Sequence, residues 1–419
     1  MLRSILAFCA LVLFAPAAHA QNLYVTADRL LDVEEGRYVA RPLITIVDGK
    51  VERIESGAQP PAGAEVIDWS GYTILPGLID MHVHLDGRPE IRGYNRLAFS
   101  DRFWTVIAAA NAQKMLQAGF TTVRDLGSDD YNTIGLDQAI EEGWFEGPRI
   151  ISAAHSLGAT GGHCDSTYLP PSFAATSPAV GDGAEELRKR VREQRKFGAE
   201  VIKACATGGV FSRNTEPGQQ QLSLEEMSAI VQEANRWGLR TAAHAHGAEG
   251  IKDAIRAGFT TIEHVSLVDD EGIRLARERG TFFSMDIFNT EYTLANGTRF
   301  GVLEENLRKE REVGTRQRES FRRAHEAGVR MVFGSDAGVM PHEDVGGQFR
   351  VMVEFGMAPL EAIRAATINA AEALGQEGQV GTLRPGAWAD LIAVQGDPLS
   401  EPEVLAAVGH VIKGGEVVR

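Results

Sequence analysis

The chain has 419 residues, of which 44% are hydrophobic and 24% charged, an ordinary composition for a globular protein. Its formal net charge of −15 argues against nucleic acid or an anionic membrane as the main partner, because both attract basic surfaces. Three cysteines are too few for a fold held together by disulfides.

Residues 1–20 have the pattern of a cleavable signal peptide. Arg3 supplies a positive charge, residues 5–14 form an apolar run, and residues 18–20 read Ala-His-Ala, a small-residue cleavage site. The apolar run is too short to cross a bilayer comfortably. We therefore expect a secreted or periplasmic protein that has no membrane attachment once the leader is removed.

The two terminal segments predict a small β domain. Residues 21–70 contain short strands of alternating polarity separated by turns, and residues 376–419 have the same character. No long linker or low-complexity tract separates them from the central region. We expect the two segments to form one β-sandwich that packs rigidly against that region.

The central region, residues 71–375, repeats one sequence pattern, called a phrase below. In each phrase a helix ends at a glycine, a short apolar run follows, and a polar residue ends that run. Glycine just beyond a helix commonly takes the left-handed cap conformation, so each phrase predicts a helix, a cap and a buried strand. The phrases are QAGFTTVRDLG, KFGAEVIKACATGG, RWGLRTAAHAHG, RAGFTTIEHVS, ERGTFFSMDIF and EAGVRMVFGSDAG. Together with YTILPGLIDMHVH and GPRIISAAHS they make eight strands, which predicts an α/β fold, a (β/α)8 TIM barrel.

Metal-ligand side chains lie near the carboxyl ends of five predicted strands, where barrel enzymes hold their catalytic groups. These residues are His82 and His84 on the first strand, Lys203 on the fourth, His244 on the fifth, His264 on the sixth and Asp336 on the eighth. Each one alone is more typical of a core or loop residue. Together, imidazoles and a carboxylate indicate a divalent-metal site, with zinc as the default ion.

Lys203 admits two interpretations, because a lysine that points into a barrel is unfavourable to bury without a partner. It could form an ion pair with Asp336. Alternatively, a neutral buried amine could take up CO2, and the resulting carbamate could bridge two metal ions as a carboxylate does.

Two cysteines, Cys164 and Cys205, remain after removal of the leader and could form one disulfide. Cys205 lies two residues after Lys203 and so faces the same side of the strand. We interpret Cys205 as a packing residue beside the site, with metal ligation as the alternative.

The motifs resemble those of the amidohydrolase superfamily, binuclear-metal subtype, across essentially the whole chain after the leader. The shared motifs are PGLIDMHVHLDG, VIKACATGG, TAAHAHG, TIEHVS and FGSDAG, in the order and spacing of that family. Within the superfamily the chain is most similar to bacterial prolidase-like (Xaa-Pro or Xaa-Arg/Lys) dipeptidases and carboxypeptidases. Ochratoxin-type amidohydrolases are close relatives, and imidazolonepropionases are further ones.

The resemblance implies two divalent ions and assigns their ligands. The expected ligands are His82, His84 and Asp336 for the more buried ion, His244 and His264 for the more exposed ion, and carboxylated Lys203 together with a hydroxide as bridges. His246 competes with His244, because the HAH motif presents both imidazoles on one face. We favour His244 from its position after the strand.

The resemblance also implies a mechanism in which the bridging hydroxide attacks the carbonyl carbon of an amide. His163, at the end of the GGH segment 161–163, is expected to contact the carbonyl oxygen and to stabilise the oxyanion. Asp336 is expected to take the proton of the hydroxide and to pass it to the leaving amine. The ATGGVFS segment, residues 206–212, is expected to shape the substrate pocket.

The expected substrates are dipeptides, C-terminal residues of short peptides, and N-acyl or aryl amino acids such as ochratoxin A. A substrate α-carboxylate requires a cation or several hydrogen-bond donors. The candidates for this role, each of which could equally be a surface or packing residue, are Arg213, Tyr168, Tyr292 and Arg350. The resemblance further implies a homo-oligomer.

Other functions stay open. Hydrolysis of cyclic amides, as by imidazolonepropionases or dihydroorotases, often uses both metals, although those pathways are typically cytoplasmic. Deaminases of the superfamily usually use one metal and lack the lysine on the fourth strand. A non-catalytic scaffold is disfavoured, because such relatives generally lose metal ligands and this chain has the full set.

Overall fold

The computed structural model describes residues 22–419, so the predicted leader, residues 1–20, lies outside the described part. The strands are β1 (Leu23–Asp32), β2 (Arg37–Ala40), β3 (Pro42–Val47), β4 (Lys50–Ser56), β5 (Glu65–Pro76), β6 (Leu78–Val83), β7 (Phe120–Asp125), β8 (Arg149–Ser152), β9 (Val201–Cys205), β10 (Arg240–Ala245), β11 (Thr261–His264), β12 (Phe282–Ser284), β13 (Met331–Val332), β14 (Leu391–Gln395), β15 (Val408–Lys413) and β16 (Glu416–Val417). The helices are α1 (Asp101–Gln117), α2 (Asn132–Glu141), α3 (Ala184–Lys196), α4 (Leu224–Arg236), α5 (Ala248–Ala257), α6 (Asp270–Arg279), α7 (Asn289–Asn296), α8 (Glu304–Glu326), α9 (Gly347–Glu354), α10 (Pro359–Ala365) and α11 (Ile368–Leu374).

The strands of the two terminal segments form a single mixed sheet. Its order is β16-β15-β14-β5-β1-β3-β4, with β2 paired to β1. Apolar side chains of this sheet, including Ile44, Trp69 and Leu391, form a core of their own. The two segments associate as expected, but the predicted sandwich is not confirmed, because the strands lie in one sheet rather than in two.

The strands β6 to β13 are parallel and alternate with helices, which gives an α/β fold of the TIM-barrel type. Their ladders form two sheets, β6-β7-β8 and β13-β12-β11-β10-β9, and do not run around one continuous barrel. Isolated parallel bridges link the two sheets at both seams, one from Val83 to Ala337 and one from Leu157 to Ala204. Left-handed backbone at Asp336 (φ +56°), just before the first bridge, interrupts the extended conformation that a ladder needs.

The predicted first strand, residues 72–84, divides at Gly77. Its first part belongs to β5, which pairs with β14 in the terminal sheet, and only β6 joins the barrel strands. A Cβ atom at Gly77 would lie 2.2 Å from Oγ1 of Thr121 on β7, so the chain passes between the two sheets at a point with no space for a side chain.

The helix–cap–strand phrases of the central region are confirmed. Each of the six cap glycines has a positive φ, between +68° and +112°. They are Gly119, Gly198, Gly238, Gly258, Gly280 and Gly328. The caps end the helices just before the buried strands, whose apolar residues pack with the inner faces of the helices into the main core. Among the helices of residues 22–419, none combines the length and apolarity needed to cross a membrane.

Candidate active site

Three predicted ligands meet where β6 lies beside the segment that follows β13. Oδ1 of Asp336 lies 3.5 Å from Nε2 of His82 and 3.4 Å from Nε2 of His84. The backbone N–H of Asp336 donates to the carbonyl of His82, and the N–H of His84 donates to the carbonyl of Ala337, each at 2.8 Å. The hydrogen bonds that link the two sheets therefore also bring these three side chains together.

A second group contains His244, His246 and His264, whose ligand atoms lie within 4.8 Å of one another. Ring centroids are 4.5 Å apart for His244 and His264 and 4.8 Å apart for His246 and His264. Because both histidines of the HAH motif reach this group, the choice of His244 over His246 stays a prediction. The two groups are contiguous, since His264, Asp286 and Asp336 also meet within 4.8 Å.

Lys203 on β9 lies beside the first group, with Nζ 3.4 Å from Nε2 of His82. Burial lowers the pKa of Lys203 to about 8, although Glu263 and Asp336 oppose the shift. At that pKa roughly one amine in ten is neutral at pH 7, and the neutral amine is the form that reacts with CO2. No carboxylate of residues 22–419 lies within 4.0 Å of Nζ, so the alternative ion pair with Asp336 is not formed.

Two buried carboxylates lie against the Nδ1 atoms of histidine rings in the site. Oε2 of Glu263 lies 3.2 Å from Nδ1 of His82, while Arg124 donates to its Oε1 at 2.9 Å. Nδ1 of His264 donates to Asp286 at 2.8 Å. These contacts leave Nε2 of both rings to face the ligand groups, as carboxylates beside metal-binding histidines commonly do. Neither Glu263 nor Asp286 was predicted from the sequence, although Asp286 follows the seventh predicted strand and Glu263 precedes a predicted ligand.

Burial keeps most of these imidazoles neutral. It lowers the pKa of His84 to about 4 and that of His163 to about 3, and it holds the pKa values of His82, His244 and His246 well below the ordinary value. Burial also opposes protonation of His264, but the Asp286 carboxylate outweighs it and raises that pKa. Neutral imidazoles keep the lone pair that coordinates a cation. The donor set therefore fits a pair of divalent metal ions.

His163 lies in the loop after β8 and lines the same cavity. Its ring stacks on that of His244 with centroids 4.1 Å apart, and its Nδ1 shares a hydrogen bond of 2.9 Å with Oγ of Ser212. Its backbone N–H donates to Oε1 of Gln221 at 2.8 Å. Since Nδ1 is engaged, Nε2 is the nitrogen left to contact a substrate.

The ligand groups line a cavity of about 250 Å³, and a second cavity of about 270 Å³ adjoins it. Four residues line both cavities: His84, Arg92, Phe211 and Val339. Val210 and Phe211 come from the ATGGVFS segment, which was expected to shape the pocket. A substrate can therefore extend from the ligand groups into the second cavity.

Arg92 is the cation at the junction of the two cavities. Its Nη2 donates to the carbonyl of Gly338 at 2.9 Å, and its guanidinium lies 4.3 Å from the centre of the Phe211 ring. Burial lowers its pKa to about 10, which still leaves it charged at neutral pH. Among residues 22–419 it has no carboxylate within 4.0 Å, whereas Arg88 and Arg96 of the second cavity pair with acids. The sequence analysis missed Arg92, whose only signal is its position in the loop after β6.

The predicted carboxylate-binding residues lie mostly elsewhere. Tyr168 lines the second cavity, and its hydroxyl is 3.3 Å from Oδ1 of Asn306. Arg213, Tyr292 and Arg350 line neither cavity. Arg213 makes an ion pair of 3.8 Å with Glu305, and Arg350 pairs with acids on the surface. Their charges are already partnered, so Arg92 is better placed for the role.

The two cysteines of residues 22–419 form a disulfide, Cys164–Cys205, and both line the metal-ligand cavity. The possible disulfide between these two cysteines is therefore confirmed; Cys205 is buried beside the site as expected, and the alternative that it is a metal ligand is wrong. The pairing required the loop after β8 to lie against β9, which the sequence spacing of 41 residues did not reveal.

Comparison with known proteins agrees with the chemistry of this site. Residues 73–418 match the sequence model of the amidohydrolase family. Ochratoxinase from Aspergillus niger is 34% identical over 376 residues, which cover 83% of this chain and 75% of that protein. Its crystal structure matches with a TM-score of 0.85 and 32% identity, covering 95% of this chain and 96% of that one.

Two further relatives extend the comparison. The crystal structure of a Xaa-Pro dipeptidase with methionine bound in its active site matches with a TM-score of 0.89 and 34% identity, over 94% of this chain and 99% of that one. Imidazolonepropionase from Geobacillus kaustophilus is 26% identical, over 92% of this chain and 90% of that protein. The chain therefore belongs to the amidohydrolase family, among prolidase-like and ochratoxinase relatives.

Proposed function

We propose that the protein is an exported, two-metal hydrolase that cleaves the amide bond next to a free carboxylate. One observation carries this proposal: the metal-ligand groups and Arg92 face a single joined space, with Arg92 at its junction. The substrate classes are dipeptides, C-terminal residues of short peptides, and N-acyl or aryl amino acids. The named activities of the ochratoxinase and Xaa-Pro dipeptidase relatives support an amide substrate.

The two ligand groups and carboxylated Lys203 would hold two zinc ions, whose chemistry is activation of water at neutral pH and polarisation of a carbonyl. Asp336 accepts a proton from the attacking water and passes it to the leaving amine. Asp336 lies within 3.5 Å of Nε2 of both His82 and His84, at the centre of the first ligand group, which places its carboxylate beside the water. The neutral ring of His163 donates an N–H to the carbonyl oxygen as negative charge develops there.

Arg92 holds the carboxylate of the substrate. A guanidinium matches the two oxygens of a carboxylate, and a partly buried one without an internal acid partner favours a ligand of that charge. Phe211 packs against the guanidinium and limits its movement. Tyr168, in the second cavity, lies on the side where the rest of the substrate would extend.

Export is part of the proposal. The signal-peptide pattern of residues 1–20 supports it, and so does the disulfide, because disulfides persist mainly in oxidising compartments. Hydrolysis of a cyclic amide is the second candidate function, favoured by the imidazolonepropionase relative.

A panel of matched substrates tests the proposed function. Each amide is offered with a free C-terminal carboxylate and with that carboxylate amidated, beside a set of cyclic amides, with and without a chelator. We expect chelator-sensitive hydrolysis with kcat/KM at least about tenfold higher for the free carboxylates, the size of one charged hydrogen bond. Equal rates for both forms would contradict the role of the carboxylate, and activity on cyclic amides alone would favour the second candidate.

The Arg92→Met variant tests the carboxylate contact directly. We expect KM for free-carboxylate substrates to rise about 10- to 100-fold, because a charged hydrogen bond contributes roughly 1.5–3 kcal/mol. Rates on the amidated substrates should change little. Arg350→Met is the matched control, since that arginine is paired with acids outside both cavities. An unchanged KM in Arg92→Met would show that the carboxylate binds elsewhere.

A further inference from the structure

A short loop, residues 157–164, is attached to β9 at both of its ends. At the first end the N–H of Leu157 donates to the carbonyl of Lys203, and the N–H of Cys205 donates to the carbonyl of Leu157, each at 2.8 Å. At the second end Cys164 is bonded to Cys205 through the disulfide. The loop therefore leaves and rejoins the same strand, next to the lysine of the candidate metal site.

His163 directly precedes the covalent attachment. Its ring packs onto the backbone of Gly209, where an added Cβ would lie 2.3 Å from Cε1 of the imidazole. The other contacts of His163 are the stacked ring of His244 and single hydrogen bonds to Ser212 and Gln221. Each of these contacts depends on the loop keeping its distance from the strand, and a displacement of about 1 Å would weaken them together.

We propose that the Cys164–Cys205 disulfide is a positioning cross-link, which holds His163 at the correct distance from the metal ligands of the barrel strands. The inference rests on the proposed function, because His163 is there assigned to the substrate carbonyl. The cross-link lies in the wall of the metal-ligand cavity, next to the side chain that it is proposed to position. Both cysteines line the cavity, and Cys205 is only 2% exposed.

Reduction of the disulfide would release this constraint. A phosphine supplies two electrons, the S–S bond breaks, and with one water the products are two thiols and the phosphine oxide. The covalent attachment at Cys164 is then lost, and the position of His163 depends only on its ring contacts and hydrogen bonds. Because misplacement of a catalytic group by about 1 Å can lower turnover about 100-fold, we expect kcat to fall about 10- to 100-fold. Metal content should stay unchanged, since neither sulfur belongs to the ligand groups.

A double-mutant cycle tests whether the cross-link acts through His163. Cys164→Ser/Cys205→Ser is made in the wild-type background and in the His163→Asn background, and kcat, KM and bound zinc are measured for all four zinc-loaded proteins. We expect a 10- to 100-fold loss of kcat in the wild-type background and no further loss when His163 is already replaced. An equal loss in both backgrounds, or an unchanged kcat in the first, would overturn the proposal.

Hydrogen exchange tests the cross-link without any assay of activity. Metal-free wild-type protein is compared before and after treatment with a phosphine reductant, with Cys164→Ser/Cys205→Ser as the control that cannot be reduced. We expect faster exchange within residues 157–164 and little change elsewhere. Unchanged exchange in that loop would overturn the inference. The two proposals can fail separately. A wild-type enzyme that hydrolyses none of the amides would refute the proposed function. The exchange result would still show whether the disulfide holds the loop in place. The same exchange comparison on wild type replaces the cycle if the double variant does not fold.

Discussion

At the scale of single residues, burial decides the chemistry of the site. Lys203 is 3% exposed, and burial lowers its pKa to about 8, so that an otherwise protonated amine becomes available to CO2. The same effect lowers the pKa values of His84 and His163 and keeps both imidazoles neutral at pH 7. Residue type alone would assign a positive charge to the lysine and leave the histidines near their ordinary pKa.

The Lys203→Ala variant tests the carbamate bridge. Without the bridge, we expect bound zinc to fall from two equivalents to one or fewer and kcat to fall at least about 1,000-fold, since both water activation and substrate polarisation depend on the metal pair. Bound metal is measured by elemental analysis after gel filtration. Lys189→Ala, on a 68% exposed side chain of α3, is the control. Two equivalents of zinc and near-normal turnover in Lys203→Ala would contradict the bridge.

At the scale of elements, Gly77 connects the terminal sheet to the barrel strands. An added methyl group at Gly77 would meet Thr121, which is 1% exposed and cannot move away into solvent. The backbone can therefore run from β5 to β6 only because residue 77 has no side chain. The position of β6, and of the loop after it that bears His84 and Arg92, depends on this path.

Gly77→Ala is expected to lower the free energy of unfolding by about 1–3 kcal/mol, because overpacking forces the backbone or Thr121 to shift. Gly135→Ala is the matched control: Gly135 lies inside α2 with open space around its Cβ position. That variant should raise the free energy of unfolding by roughly 0.5–1 kcal/mol, the gain for alanine over glycine in a helix. Urea unfolding measures both, and a neutral Gly77→Ala would show that the junction is not closely packed.

The stability of the contact between α2 and β8 is expected to depend on pH, because Asp137 of α2 lies in that contact. Burial, with the charges of Glu200 and Glu141, raises its pKa to about 7, so the folded protein binds this proton more tightly than the unfolded chain does. Stability contributed by Asp137 must then increase as pH falls from about 8 towards 5. The difference in unfolding free energy between wild type and Asp137→Asn should change in favour of wild type over that range.

Urea unfolding at pH 8, 7, 6 and 5 measures this difference. Asparagine keeps the acceptor for the N–H of Ile150, which donates to Asp137 at 3.3 Å. Glu185→Gln, on a 91% exposed side chain, controls for the removal of one negative charge. A difference that stays constant from pH 8 to pH 5 would show that the pKa of Asp137 is not raised.

At the scale of the whole molecule, the candidate metal site depends on the complete fold. Its candidate ligands run from His82 to Asp336 along the chain, and each ligand group combines side chains from two separate segments. The unfolded chain cannot bring them together. We therefore expect metal binding and folding to be linked.

Zinc is expected to raise the melting temperature of the metal-free protein in a concentration-dependent way. A ligand that binds only the native state adds about 2.7 kcal/mol of stability at 100 times its Kd. Differential scanning fluorimetry with a zinc titration measures the effect, and the chelated protein gives the baseline. An Asp336→Asn variant, which replaces the carboxylate of the first ligand group, should lose much of the response. A melting temperature that does not respond to zinc in wild type would contradict a metal site built by folding.

Much of the fold was predictable from the sequence because its signals are local. A cap glycine ends a helix through its own backbone, and strand alternation places His82 and His84 on one face without reference to distant residues. The same reasoning located Lys203 and Asp336 near strand ends. The structure confirms the predicted succession of helix, glycine cap and strand, and it brings the predicted ligands into one cluster.

Only the tertiary structure decided the features that join distant segments. Glu263 and His264 are neighbours on β11, and an ideal strand would point them to opposite faces. Both reach the site, because left-handed backbone at His264 (φ +69°) turns its ring towards the ligand groups. The single terminal sheet, the position of Arg92 between two cavities and the Cys164–Cys205 bond likewise depend on segments that meet only on folding. Local patterns determined which residues are available for the chemistry, and packing between remote parts of the chain determined which of them face one another.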